Sequence, residues 1–204
     1  MAILREISSF RGTVELSFDD YTRLKIRKKD WADFPLTVGQ DANLDEYSGK
    51  VCARQLAEAY EAALTILDYS ARTESEIRKK LAGKGYLPAV CDAVTERLRG
   101  ARLINDAELA HRMTESVSAK QAGIYSLRRK LLSRGIGEED AENALLNISD
   151  EDQLSAAIAC AGKLSRKYEG LDSRAYRAKL SQALARRAFR WDTIEQTLAS
   201  LEDE

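Results

Sequence analysis

Two clusters of cations sit fifty residues apart in the same local setting. Arg78, Lys79 and Lys80 lie between Ile77 and Leu81, with Lys84-Gly85-Tyr86 just beyond. Arg128, Arg129 and Lys130 lie between Leu127 and Leu131, with Arg134-Gly135-Ile136 beyond. A weaker third copy runs from Lys179 to Phe189, with Leu184, Arg186, Arg187 and Ala188 in the matching places, fifty-three residues after the second. Arg166, Lys167, Arg174, Arg177 and Arg190 surround it. The chemistry open to such groups is the holding of anions. Cation contacts to phosphate are sequence-independent and salt-sensitive. Guanidinium groups also grip carboxylates in two-pronged fashion. The same residues equally suit solvated helix faces paired with Asp or Glu one turn away. Lys84 and Arg134, near helix ends, also suit the helix dipole.

Nothing comparable points to catalysis. The chain has no P-loop, GxSxG or HExxH pattern. His111 is its sole histidine and reads as a surface or interface residue. Cys52, Cys91 and Cys160 are too scattered for a zinc site and read as reduced, mostly buried thiols. The expectation is a protein that is not an enzyme, with no cofactor and no metal. The acidic runs Glu138-Glu139-Asp140 and Asp150-Glu151-Asp152 read as helix starts, and Trp31 and Trp191 as core or semi-core packing.

The 204 residues include 32% charged and 7% aromatic residues and only two prolines, which leaves room for long helices. A net charge of −1 excludes bulk polycation behaviour but not local patches. No secretory signal or membrane-length apolar run is present, so a cytoplasmic location is expected.

The elements that must position the cations follow from the hydrophobic period. Val14, Leu16 and Phe18 alternate with polar residues, Asp19-Asp20 supplies a turn, and Tyr21 to Ile26 alternates again. That predicts a β-hairpin, with Ile3 to Phe10 as a third strand turning at Arg11-Gly12. From Gln55 the period becomes 3.6, placing Leu56, Tyr60, Ala63, Leu64 and Leu67 on one helical face. Thr73 and Glu76 form a capping-box pattern that starts a second helix, and Pro88 suits the first turn of a third.

The cycle then repeats twice. Leu109, Met113 and Val117 mark the next first helix, and Leu154, Ile158, Ala161 and Leu164 the last. Core positions align across copies: Ile77, Leu127 and Leu180; Leu81, Leu131 and Leu184; Cys91, Ala141 and Ile194; Leu98, Ile148 and Leu201. The expected fold class is mainly α, with three tandem three-helix repeats in an elongated curved stack, preceded by a small antiparallel β-module. The expected divisions are a β-module at 1–50 and repeats at 51–101, 102–149 and 150–204.

Taken together, Ala62 to Leu67, Ser75 to Leu81, Leu103 to Asp106 with Leu109-Ala110, Ser126 to Ile136 and Arg166 to Tyr168 resemble the RecX family of bacterial recombination regulators. The resemblance covers roughly residues 55 to 201, and the amino-terminal strands look like the β-module of longer family members. It departs at Ala188, where the other copies have glycine, and at the Ser118 to Ile124 run, which carries few charges. The resemblance implies a monomeric partner of RecA that lies in the groove of the RecA–DNA filament. It implies restraint of the ATPase, strand exchange and coprotease functions of RecA in recombination, DNA repair and the SOS response. Other readings open to the sequence are a DNA-binding protein independent of RecA and a general helical-repeat scaffold. The cations named above are the expected contacts, with weak direct DNA binding through their faces.

Overall fold

A computed structural model describes residues 1–118 and 122–201, with the side chains of 116–118 outside the description. The side chain of Val117 and part of the Ser118 to Ile124 run therefore lie outside the description. The chain divides into two compact units, Met1–Ile104 and Asn105–Glu204.

The first unit opens with strands β1 (Ala2–Phe10), β2 (Thr13–Phe18) and β3 (Arg23–Arg27), then helix α1 (Lys28–Asp33) and the short strand β4 (Asp41–Ala42). The sheet order is β3-β2-β1-β4, antiparallel throughout. Val14 pairs with Ile26 and Leu16 with Leu24, as the alternation requires. Gly12, at φ +77°, makes the turn between β1 and β2. Val14, Leu16 and Phe18 are buried, so the alternating face is the core face. The short α1 and β4 have no counterpart in the sequence expectation. Six and two residues are too few to carry a readable period.

Helices α2 (Leu44–Tyr69), α3 (Glu74–Gly83) and α4 (Pro88–Gly100) complete the unit. Helix α2 starts well before Gln55, at Asn43, whose side chain accepts the N–H groups of Asp45 and Glu46. It therefore runs across position 50. Its buried seam is Tyr47, Val51, Gln55, Ala59 and Ala63, and Leu56 is 37% exposed. The seam is rotated from the expected face, because the polar Gln55 is buried and small Ala59 and Ala63 pack beside it. The Thr73–Glu76 capping box at the start of α3 and Pro88 at the start of α4 are both present. Sheet and helices share one core, in which Leu4, Leu16 and Ile26 join Val51, Ile77 and Leu81.

The second unit holds α5 (Asp106–Ser118), α6 (Ile124–Ser133), α7 (Glu138–Leu146), α8 (Asp150–Ser165), α9 (Ser173–Arg186) and α10 (Trp191–Ser200). Two core clusters form here, one around Leu127 and Leu131 and one around Leu180, Leu184 and Ile194. On α8 the buried residues are Gln153, Ala156, Ala157, Cys160 and Ala161, and Ile158 is 36% exposed. Small residues pack there, so the larger Leu154 and Ile158 did not mark the seam.

One turn closes the second helix of each repeat. The N–H groups of Tyr86, Ile136 and Phe189 donate to the carbonyls of Leu81, Leu131 and Leu184, at 3.3, 3.3 and 3.4 Å. The residue before each of these donors is left-handed: Gly85 at φ +84°, Gly135 at +82° and Ala188 at +64°. The substitution of Ala188 for glycine thus leaves the turn intact at a conformational cost. Ala188→Gly will stabilise the chain by up to about 1 kcal/mol, the left-handed penalty less the added freedom of the unfolded chain. Chemical denaturation checks this, and a loss of stability would contradict it.

Candidate nucleic-acid and partner interface

Helices α3 and α6 present their cations in one frame. Ile77 and Leu81, and likewise Leu127 and Leu131, are at most 2% exposed and fix the inward direction. At about 100° per residue, the following positions must turn outward. Arg78 and Arg128 are half-buried, whereas Lys79, Lys80, Arg129 and Lys130 are exposed.

The half-buried arginines are committed within their own units. Arg78 Nε donates to Asp92 on α4 at 2.8 Å, and its Nη1 lies 3.5 Å from Glu74. Arg128 Nε donates to Glu142 on α7 at 2.5 Å, with Glu138 at 3.5 Å. The hydrogen bond to Glu142, then its charge, hold Arg128 more firmly protonated than usual. In the third copy Arg177 reaches Glu195 on α10 at 3.1 Å. Asp92, Glu142 and Glu195 follow the same fifty and fifty-three residue steps as the core leucines. Sequence reasoning missed these partners, although the period itself carried the signal. Each pair ties the second helix of its unit to the third. Being partly exposed, each pair contributes little to stability.

Other expected contacts are also engaged. Arg134 Nη1 approaches Met113 Sδ at 3.2 Å. Arg187 donates to the Ala183 carbonyl at 3.1 Å, and Arg190 to Asp150 at 3.4 Å. By contrast Lys79, Lys80, Lys84, Arg129, Lys130, Arg166, Lys167, Arg174 and Arg186 are exposed, with no carboxylate within 4.0 Å among the described residues. The acidic runs do start helices. Glu138, Glu139 and Asp140 fill the first turn of α7, and Asp152 closes a capping box with Ser149 at the start of α8. The hydrogen bonds from Ser149 lower the Asp152 carboxyl below its ordinary range.

Among the described residues, no group of three or more His, Cys, Asp or Glu side chains could hold a metal ion. No described helix is long and apolar enough to cross a membrane. His111 is half-buried, its Nδ1 lying 3.2 Å from the Asn147 amide. Burial pushes the thiols of Cys52, Cys91 and Cys160 up, away from nucleophilic reactivity. Trp31 packs partly buried against the first core, but Trp191 is 63% exposed, which corrects the expectation of packing. It occupies the first position of α10, where the core seam has not yet begun.

Comparison with known proteins matches this arrangement to one family. Residues 59–98 match the model of the first three-helix domain of RecX, and residues 150–198 that of the third. Regulatory protein RecX of Lactococcus lactis subsp. lactis is 32% identical over 199 residues, covering 94% of this chain and 73% of that protein. The chain belongs to the RecX family. Regulatory protein RecX of Levilactobacillus brevis is 27% identical over 205 residues, covering 99% of this chain and 77% of its own length. A crystal structure of regulatory protein RecX superposes with a TM-score of 0.69 at 27% identity over the full length of both chains. RecX from Lactobacillus salivarius gives 0.70 at 26% identity, over 74% of this chain and 99% of that one. The first RecX three-helix match spans α3 and α4, and with them both the Arg78–Asp92 pair and the free Lys79-Lys80 pair.

Proposed function

We propose that this RecX-family chain is a non-catalytic regulator that binds RecA, lies in the groove of the RecA–DNA filament and slows its ATPase, strand exchange and coprotease functions. It acts as a cytoplasmic monomer in recombination, DNA repair and the SOS response. One observation carries the reading. The pairs Lys79-Lys80 and Arg129-Lys130 share one frame on two repeats, exposed and free of carboxylate partners, beside arginines that are tied down. A nucleoprotein filament offers phosphates and acidic protein surface together, and cations of both kinds serve it. The name of the relatives, regulatory protein RecX, supports regulation over catalysis. The repeat units 51–101, 102–149 and 150–204 serve as successive contacts under this reading.

The test separates free cations from structural ones. Lys79→Glu with Lys80→Glu, and Arg129→Glu with Lys130→Glu, will each weaken co-sedimentation with RecA filaments at least about tenfold at low salt. Their melting temperatures will stay near that of the parent, because exposed unpaired positions move stability by about 0.5 kcal/mol or less. Undiminished binding in both variants would contradict the reading. Tight, sequence-selective binding to naked duplex would instead favour a DNA-binding protein independent of RecA.

A further inference from the structure

The proposed reading leaves two cations of the β-module unused. Arg11, in the turn between β1 and β2, and Lys25, on β3, face a cleft whose other wall is the turn between α3 and α4. Lys84 closes the same cleft, which has a volume of about 350 Å³. No Asp or Glu lines it, and Arg11, Lys25 and Lys84 are exposed with no carboxylate within 4.0 Å among the described residues. Three like charges around one cleft repel one another, and Glu15, across the ladder from Lys25, is paired with Arg23 at 3.7 Å. Such a cleft attracts an anion.

The walls are built to stay in place. Gly85 brings the α3–α4 turn so close to β3 that an added Cβ would lie 2.9 Å from Arg27 Cγ. The Arg27 guanidinium stacks 4.2 Å over the Tyr86 ring, and Tyr86 lines the cleft. The start of α4, at Leu87 and Pro88, forms part of the wall and has no acidic residue in its first turn.

A second groove adjoins the first and shares Gly83 and Lys84 with it. It is about 570 Å³ and runs between the end of α2 and α3. Lys80 lines it, with Arg72, which lies 3.8 Å from Glu76, and so does Tyr69, which is 85% exposed. A path of cations beside a bare aromatic ring is the arrangement that holds a single strand, whose backbone needs charge and whose bases offer flat faces. An acidic peptide would use the cations but not the ring.

We propose that the cleft of Arg11, Lys25 and Lys84 binds the phosphate backbone of single-stranded nucleic acid, and that Tyr69 in the adjoining groove stacks on one of its bases. The β-module is thereby a contact surface in its own right. The inference deepens the reading above, from which it takes the nucleic-acid half of the partner, but it stands or falls without RecA.

The test uses the full chain and a fluorescein-labelled oligothymidylate, with RecA absent, read by anisotropy across a salt series. Arg11→Gln with Lys25→Gln will weaken binding about tenfold and lower the salt slope by about 1.4, at ~0.7 per lost single-strand phosphate contact. Tyr69→Ala will weaken binding by roughly tenfold with the slope unchanged, as stacking carries no counterion term. Should the double variant melt early, Lys84→Gln on the opposite wall gives the same reading with a slope change of about 0.7. Strand binding that none of these variants alters would overturn the proposal, as would a parent protein that binds no strand. Displacement of the strand by poly-glutamate at equal charge concentration would overturn it in favour of an acidic protein segment. A parent protein that binds the strand through this cleft yet leaves RecA hydrolysis unchanged would sink only the RecA reading.

Discussion

Replacing Asp30 with alanine will lower the unfolding free energy of the first unit by about 3 kcal/mol. Asp30 is fully buried, and its carboxylate accepts from Arg27 Nε at 2.6 Å, Arg27 Nη2 at 2.7 Å and Gln55 Nε2 at 2.7 Å. Gln55 in turn accepts the Leu87 N–H at 2.8 Å, so one carboxylate links β3, α1, α2 and the start of α4. Its removal leaves a buried guanidinium and a buried amide short of partners, which costs far more than an exposed pair would. Glu58, 3.2 Å from Arg27, still offers partial neutralisation, so the loss falls at the lower end of the range for broken buried pairs. Denaturant unfolding followed through Trp31, in a Trp191→Phe background, measures it. Arg27→Met added to Asp30→Ala will recover part of the loss. Fully additive losses would mean that the two residues are not coupled.

Gly123→Ala will destabilise the second unit by about 1–3 kcal/mol. The Gly123 N–H donates to the Arg187 carbonyl at 3.0 Å, and an added Cβ would lie 2.1 Å from the Ala188 carbonyl oxygen and 2.2 Å from the Phe189 nitrogen. Those atoms are backbone and cannot swing aside, so the start of α6 must lift off the turn between α9 and α10. Within that unit, this contact joins the second repeat to the third. Gly49→Ala is the opposing control: it lies inside α2 with nothing within 4 Å, and alanine there will stabilise by about 0.5–1 kcal/mol. Parallel thermal melts of the two variants give both signs. A neutral Gly123→Ala would mean that the two repeats are not docked through this turn.

The repeats were legible because equivalent apolar positions recur at fixed steps. Ile77, Leu127 and Leu180, and Leu81, Leu131 and Leu184, are all at most 2% exposed. A residue type repeated in one frame survives any single irregularity, such as Ala188 in place of glycine. The polar interior was not legible. Asp30, Gln55 and Gln153 carry polar side chains that an apolar period does not pick out, yet they are buried, and the two glutamines accept backbone N–H groups at helix starts, from Leu87 and Ile124. Leu87 and Ile124, the partners of the two glutamines, are about thirty residues away in sequence, and Asp30 joins nearby Arg27 to distant Gln55, so no local pattern reveals the burial. The visible trace was Gln55 in the middle of a Tyr47, Val51, Ala59, Ala63 seam.

The cation clusters were legible as clusters but not as two classes. Arg78 and Arg128 are half-buried and meet Asp92 and Glu142 on the next helix, fourteen residues on in each case, whereas Lys79 and Arg129 are exposed. Arg11 and Lys25 were passed over because the strand pattern explained their neighbours and gave no hint of the facing α3–α4 turn.

The most direct test of the regulatory reading is the rate of single-strand-dependent ATP hydrolysis by RecA as this protein is added. Hydrolysis should fall at substoichiometric or modest amounts of the protein. The double reversal of Lys79 and Lys80, and that of Arg129 and Lys130, should each relieve the effect while leaving the melt unchanged. Hydrolysis and filament length that stay constant throughout the titration would contradict the account.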